Sequence, residues 1–169
     1  MWFLIGGEIK DIISVDYSDE ALRIVNENIK GANTLKMNFE NEWLFERESA
    51  DLIIANLSLH YFDEKTTLDI IEKIKDTLID GGILLARLNS IEDINYGSNS
   101  LDEIEKHYYN SMNIKKRFFD KNDIEYFFNS FKIEICREET VLTAVHDKTK
   151  KVWECAFKKQ QNNGVDPNE

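Results

Sequence analysis

Asp16 closes the run Ile12-Ile13-Ser14-Val15 and stands directly before Tyr17 and Ser18. A carboxylate just past the end of a buried strand suits the two hydroxyls of a ribose, because it offers two acceptor oxygens and no competing donor. The same side chain suits a cap on the helix that follows, a task Ser18 can also perform. Spacing leaves the two roles level. Further on, the apolar run 51–55 leads straight into Asn56-Leu57-Ser58-Leu59-His60. Asn56 and Ser58 fall where an open sheet meets its ligand. His60 is a candidate general base by its ordinary pKa, or, the commoner outcome in aromatic and apolar company, a packed imidazole.

Arg87 and Asn89 end the apolar run 83–88 in the same manner. An Arg there either orients a carboxylate or phosphate on a substrate or neutralises nearby acids, and the choice stays open. His107, Tyr108 and Tyr109 form the densest group of titratable and aromatic side chains. They are candidates to line a substrate pocket, and each is equally a candidate core contact. Cys136 and Cys155 make no metal-ligand spacing and no disulfide framework, so they read as buried, reduced thiols. Nothing resembles a metal site, a serine or cysteine triad, or a phosphate loop with its lysine. Gly6-Gly7 lacks the flanking strand and helix of a dinucleotide fingerprint.

The elements that must position these residues alternate. Residues 11–15 read as a strand by their β-branched content, and Ser18 caps a helix that carries Leu22, Val25 and Ile29 on one face and ends at Gly31. Residues 33–39 are a short second strand, and 51–55 a strand apolar on both faces, as in a covered parallel sheet. Asp63 opens a helix with Leu68, Ile71, Ile74 and Leu78 in step, ended by Gly81-Gly82, and 83–88 form the next buried strand. The order strand, helix, strand, strand, helix, strand predicts a parallel α/β sheet.

After Asn89 the chain turns polar and aromatic over a long excursion of about 89–118, of the kind that serves as a lid or binding loop. Within it, Ser100 and Glu103 have capping-box spacing and predict a short helix through Tyr108. Asp120 caps a helix bearing Ile124, Phe127 and Phe128. Two alternating stretches, 131–141 and 150–157, predict an antiparallel pair. Residues 160–169 are polar and without period, the signature of a disordered tail.

At 169 residues, 42% hydrophobic and 31% charged, the chain suits a single globular domain over residues 1–159. Its 21 Lys and Arg against 32 Asp and Glu give a net charge of −11, a field that repels nucleic-acid backbones and anionic membranes. The compact basic stretch Ile114-Lys115-Lys116-Arg117-Phe118-Phe119 reads as a solvated edge rather than a docking patch. No apolar run reaches membrane-spanning length and no signal peptide is evident, so a cytoplasmic location is expected.

In this order the motifs resemble class I S-adenosylmethionine-dependent methyltransferases of the small-molecule type, with a Rossmann-like sheet. "IISVDYSDEAL" is similar to the family's second strand and its ribose-binding acid. "LKMNFEN" resembles the third-strand end, with Asn38 where the family often places an Asp near the adenine amino group. "SADLIIANLSLHYF" resembles the fourth-strand motif. "IKDTLIDGGILLARL" resembles the helix, Gly-Gly turn and fifth strand, with Asp80 in place of the usual Pro. The closing helix and strand pair resemble the family's C-terminal end rather than a nicotinamide-binding fold.

The resemblance implies S-adenosylmethionine as cofactor and a small-molecule acceptor. Asp16 would hold the ribose with Tyr17 beside it, Asn38 and Phe39 would flank adenine, and Asn56 and Leu57 would line the crevice by the methyl. Arg87, Asn89 and Tyr109 are the implied acceptor-binding residues, and His60, His107 and Tyr108 the candidate catalytic ones. The family's first strand and glycine-rich loop have no counterpart, so the resemblance also implies a chain that starts partway through the family's first helix. The expected sheet then lacks its first central strand and leaves two unpaired edges, which a second copy or a complementing chain would cover. A fragment that has lost the cofactor loop and does no catalysis is the rival expectation.

Overall fold

A computed structural model describes residues 11–93, 102–111, 114–142 and 148–161. The expectations placed on Gly6-Gly7, on Ser100, on the connection 143–147 and on tail residues 162–169 lie outside these. The chain divides into two compact units, Met1–Leu44 and Phe45–Glu169, taken here in turn.

In the first unit the β-branched run forms strand β1 (Ile13–Asp16). Ser18 then caps helix α1 (Asp19–Asn28), its side chain accepting from the Ala21 N–H, and Asp19 and Glu20 complement the helix dipole in the first turn. The helix leaves through Ile29 into Gly31, whose φ of +76° is the left-handed geometry that favours glycine. Strand β2 (Asn33–Lys36) pairs parallel with β1, so that Asp16 lies opposite Lys36 at the carboxyl ends. It stops at Lys36, short of the expected 39, because Asn38 opens a turn that accepts from the N–H groups of Asn41 and Glu42. Among the described residues the sheet has two strands and nothing pairs with the other side of β1.

In the second unit strand β3 (Ala50–Asn56) runs to Asn56 and is followed by a single 3-10 turn, Leu59–Tyr61. Asp63 caps helix α2 (Glu64–Thr77), accepting from the Thr66 N–H at 2.8 Å, and the Thr66 hydroxyl and then this N–H hold its carboxyl below the usual range. Ile70, Ile71 and Ile74 form its buried stripe, each worth about 2 kcal/mol of apolar burial. The helix ends at Thr77, before Gly81-Gly82. Those glycines serve strand β4 (Leu78–Asn89): pairing with β3 jumps from Ala50–Leu78 to Leu52–Ile83, and the extra residues bulge between. Gly81 takes φ +78°, and a Cβ on Gly82 would lie 2.9 Å from the Ile79 carbonyl oxygen. A helix-stop signal is here a bulge signal.

The excursion corrects one expectation outright. Residues 102–108 are not helical: β5 (Asp102–Glu105) and β6 (Tyr108–Ser111) are antiparallel strands, and β7 (Ile114–Arg117) extends them to a three-stranded sheet. Glu103 does make the local bond that mimicked a cap, but it accepts from His107 across the β5–β6 turn, with His107 at φ +57°. This sheet is tied to the end of β4 by Phe119 N–H to Asn89 O at 2.8 Å and by the Ser90–Phe119 bridge.

Asp120 and Asp123 form a reciprocal capping box on helix α3 (Lys121–Phe127). Strands β8 (Phe131–Leu142) and β9 (Thr149–Lys159) form the expected antiparallel pair, and β9 lies against β4, giving the order β3-β4-β9-β8. The parallel β-α-β units followed by this reversed pair define a Rossmann-like α/β fold in which β3 is an edge strand among the described residues. Phe118, Phe119, Phe128 and Phe157 are fully buried in its core, the last two stacked 4.1 Å apart. The basic stretch is therefore no solvated edge: Lys115 is exposed, but Arg117 and both phenylalanines are buried.

Candidate functional site

The first unit presents its candidate residues beyond the carboxyl ends of β1 and β2. Asp16 uses one oxygen, Oδ1, to accept from the Ser18 N–H at 2.8 Å. Oδ2 makes no hydrogen bond to any described residue. Tyr17 is 72% exposed. Asn38 turns its side-chain oxygen to the Glu40 N–H at 3.0 Å, leaving one lone pair on that oxygen and its amide donors. Phe39 is half-buried, with its ring 5.9 Å from that of Trp43. Trp43 had no motif to reveal it, and it adds a second aromatic face to this group.

In the second unit β3 delivers Asn56, exposed, and Leu57 at φ +55°. A non-glycine residue in the left-handed region stores strain, which clusters at functional turns. The Leu57 N–H donates to the Arg87 carbonyl at 3.0 Å, tying the ends of β3 and β4 together. Arg87 itself pairs with Glu154 at 2.6 Å across the β4–β9 ladder, and Arg137 shares that acid at 3.2 Å. Asn89 is buried; its amide donates to the Arg117 carbonyl at 3.4 Å, while its Oδ1 has no hydrogen-bond partner among the described residues.

His60 is 4% exposed, tilted against Tyr61 with ring centroids 4.0 Å apart. Burial first, and then the charges of Lys150 and Lys116, push its pKa down to about 3. The imidazole is therefore neutral at neutral pH, and it is too weak a base to draw a proton strongly. Tyr108 is buried and donates to the Tyr61 carbonyl at 3.0 Å, under the Arg117 guanidinium. Tyr109 packs edge-on to Phe118, and burial raises its pKa, with Glu103 adding to the rise.

His107 is the candidate with an orienting group: its Nδ1 lies 2.6 Å from Asp123 Oδ2. Asp123 is 6% exposed. Burial raises its pKa, but hydrogen bonds from the Asp120 N–H, Lys106 and His107 outweigh it and hold the carboxyl low. His107, Asp120 and Asp123 bring potential ligand atoms within 4.8 Å of one another, but both carboxylates are occupied as helix caps. A surface recess of about 400 Å³ lined by Asp63, Glu64, Lys65, Leu68 and Glu105 contains none of the candidate residues.

Residues 3–86 match the family described as "Methyltransferase domain". Among solved structures, a S-adenosylmethionine-dependent methyltransferase from Methanosarcina mazei is similar at TM-score 0.71 and 14% identity, over 88% of this chain and 81% of that one. A putative S-adenosylmethionine-dependent methyltransferase from Listeria monocytogenes is similar at TM-score 0.67 and 14% identity, over 90% and 81%. The 1,6-didemethyltoxoflavin-N1-methyltransferase of Burkholderia thailandensis, solved with its substrate and S-adenosylhomocysteine, is similar at TM-score 0.64 and 10% identity, over 88% and 61%. No curated protein matches the chain. The matched segment carries the methyltransferase domain of that family, and the fold is the one these S-adenosylmethionine-dependent methyltransferases share. No helix among the described residues is long and apolar enough to cross a membrane.

Proposed function

We propose that this chain binds S-adenosylmethionine and passes its methyl group to a small-molecule acceptor. One observation carries the reading: Asp16 ends β1 with one oxygen fixed by the Ser18 N–H and the other open to a ribose. That arrangement fits the cofactor, since the fixed oxygen sets the carboxylate plane and the open one accepts from a hydroxyl. Bound S-adenosylmethionine supplies an electrophilic sulfonium methyl. Asn38 serves the adenine amide edge through its remaining lone pair and donors, and Phe39 with Trp43 offers apolar ring surface. For the second unit, Asn56 and the strained Leu57 are proposed to line the crevice by the methyl, and residues 89–118 to cover the acceptor. His107, oriented by Asp123, is the proposed proton acceptor where the nucleophile must lose a proton.

Calorimetry with S-adenosylhomocysteine on the wild type, Asp16→Ala and Asp16→Asn tests this. Submillimolar binding that weakens at least about tenfold in Asp16→Ala is expected, from loss of a charge-assisted hydrogen bond. Equal binding by all three proteins removes Asp16 from the site. The sides of β1 and β3 that pair with no described strand support a second reading, in which a second copy or a complementing chain adds a strand before the protein works. Light scattering behind size exclusion separates the two, a well-folded, cofactor-binding monomer excluding the required partner.

A further inference from the structure

We propose that Cys136 and Cys155 are an oxidation site, at which a peroxide joins strand β8 to β9 through one disulfide while the protein stays folded. The assignment is independent of the methyltransferase reading. Its ground is the register: Cys136 lies directly opposite Cys155 in the antiparallel β8–β9 ladder. Residues paired in this way point to the same face of the sheet. Their Cα atoms lie about 4.5–5.5 Å apart, inside the range of about 4.4–6.8 Å that a disulfide spans. The Cys155 S–H already donates to the Cys136 sulfur at 3.4 Å, and both thiols are free. A disulfide needs about 2.0 Å between sulfurs, an approach of about 1.4 Å that side-chain rotation supplies without moving either strand.

The two sulfurs differ in what can reach them. Cys136 is half-buried on β8, which pairs with β9 alone among the described residues. Cys155 is 5% exposed, between Ala86 on β4 and Cys136 on β8. A dissolved oxidant therefore meets Cys136 first, and Cys155, in contact behind it, is the thiol that follows. Burial raises the pKa of both thiols, Cys155 the further, so Cys155 is the one that keeps its proton. The chain has two cysteines, so no third thiol competes within it.

In the first step the Cys136 thiolate, its proton lost to solvent, attacks one peroxide oxygen. The O–O bond breaks, the leaving oxygen is protonated and departs as water, and Cys136 becomes a sulfenic acid. In the second step the Cys155 sulfur attacks the Cys136 sulfur. The S–O bond breaks, and the departing hydroxide leaves as water with the Cys155 proton. Two thiols together lose two electrons, and one peroxide is reduced to two waters. The link fastens β8 beside Arg137 and Glu154, the next pair in the ladder, which with Arg87 already ties β8, β9 and β4 together.

The test treats the whole folded chain with millimolar hydrogen peroxide, blocks the remaining thiols and maps the peptides by mass spectrometry without reduction. The expected product is a Cys136–Cys155 disulfide within one chain, returned to two thiols by dithiothreitol. Its rate of formation should stay level as urea is raised below the unfolding transition, and the oxidised protein should unfold at a urea midpoint about 1 M higher than the reduced one. In Cys155→Ala, dimedone should capture the Cys136 sulfenic acid at least about tenfold more than in wild type. Cys155→Ser repeats that measurement should the alanine variant not fold. A disulfide formed only between two chains, or Cys136 oxidised past the sulfenic acid beside a free Cys155, overturns the proposal. So does a rate that climbs with urea, a midpoint that does not rise, or equal dimedone capture in wild type and variant.

Discussion

Replacing Arg117 by Leu should unfasten the β5–β7 sheet, and the structure fixes the size of the effect. The Arg117 side chain is 3% exposed and pairs with Glu105, itself 30% exposed. Its remaining donors reach Phe62 O and Lys106 O, both at 3.3 Å, and its guanidinium lies 5.1 Å from the Tyr108 ring and 5.0 Å from the Phe127 ring. Breaking a fully buried pair costs about 3–5 kcal/mol, chiefly from the charge left behind. Glu105 keeps water on one side and the Glu64 N–H at 2.6 Å on the other, so its share is reduced. The Lys106 carbonyl also loses its donor, at about 1 kcal/mol before leucine packing recovers part, while Phe62 O keeps the Thr67 hydroxyl. The net expectation is a loss of about 3 kcal/mol.

Urea unfolding reports it through Trp153, whose Nε1 donates to Phe119 O at 2.9 Å, with Trp2 and Trp43 replaced by Phe. A double-mutant cycle with Glu105→Gln should show coupling of about 1–2 kcal/mol. A loss below about 1 kcal/mol, or additive single changes, refutes the reasoning that Arg117 is a buried anchor.

Asp123→Ala should cost about 2 kcal/mol at pH 7, one part for the α3 cap and one for the His107 bond, with nothing added for the exposed Lys106. Because the folded-state pKa of Asp123 is depressed, its contribution is present above the unfolded carboxyl pKa and disappears as pH falls through the folded value; urea curves at neutral and acid pH check this. His60, with its pKa lowered to about 3, should stay neutral by NMR at pH 5. The unfolded chain then binds the extra proton, so stability relative to His60→Gln should shrink as pH falls from about 6.5 towards 3, by at most about 1.4 kcal/mol per pH unit. Cys136 and Cys155 face each other across β8 and β9 with sulfurs 3.4 Å apart, and burial pushes both thiols up, Cys155 the further. Iodoacetamide at pH 8 should therefore modify Cys136 first and leave Cys155 until the protein unfolds, as mass spectrometry of the peptides will show.

Local signals carried much of the fold. The β-branched run before Asp16, the Ser18, Asp63 and Asp120 caps, and the alternation of β8 and β9 each state one structure in adjacent residues, and each formed. Where a signal had two physical meanings, sequence chose wrongly. Ser100 and Glu103 have the spacing of a cap, but β5 pairs with β6 and β6 in turn with β7, and pairing such as Tyr109 with Lys116 leaves no local mark. Gly81-Gly82 fits a helix end as well as a bulge, and only the β3 register decides. Arg117 looked solvated beside two lysines because its acid, Glu105, lies in another strand. At the candidate site, the strand end at Asp16 was legible from the β-branched run before it. The left-handed Leu57 was not, since no glycine announces it.

The central claim is that Asp16 ends a cofactor-binding strand. Backbone ¹H–¹⁵N NMR during titration with S-adenosylhomocysteine tests it most directly. The account expects the amides of Tyr17, Ser18 and Asn38 to shift saturably below about 1 mM and to stand still in Asp16→Ala. Amides that remain unmoved at millimolar ligand in the wild type, or that shift alike in the variant, contradict it.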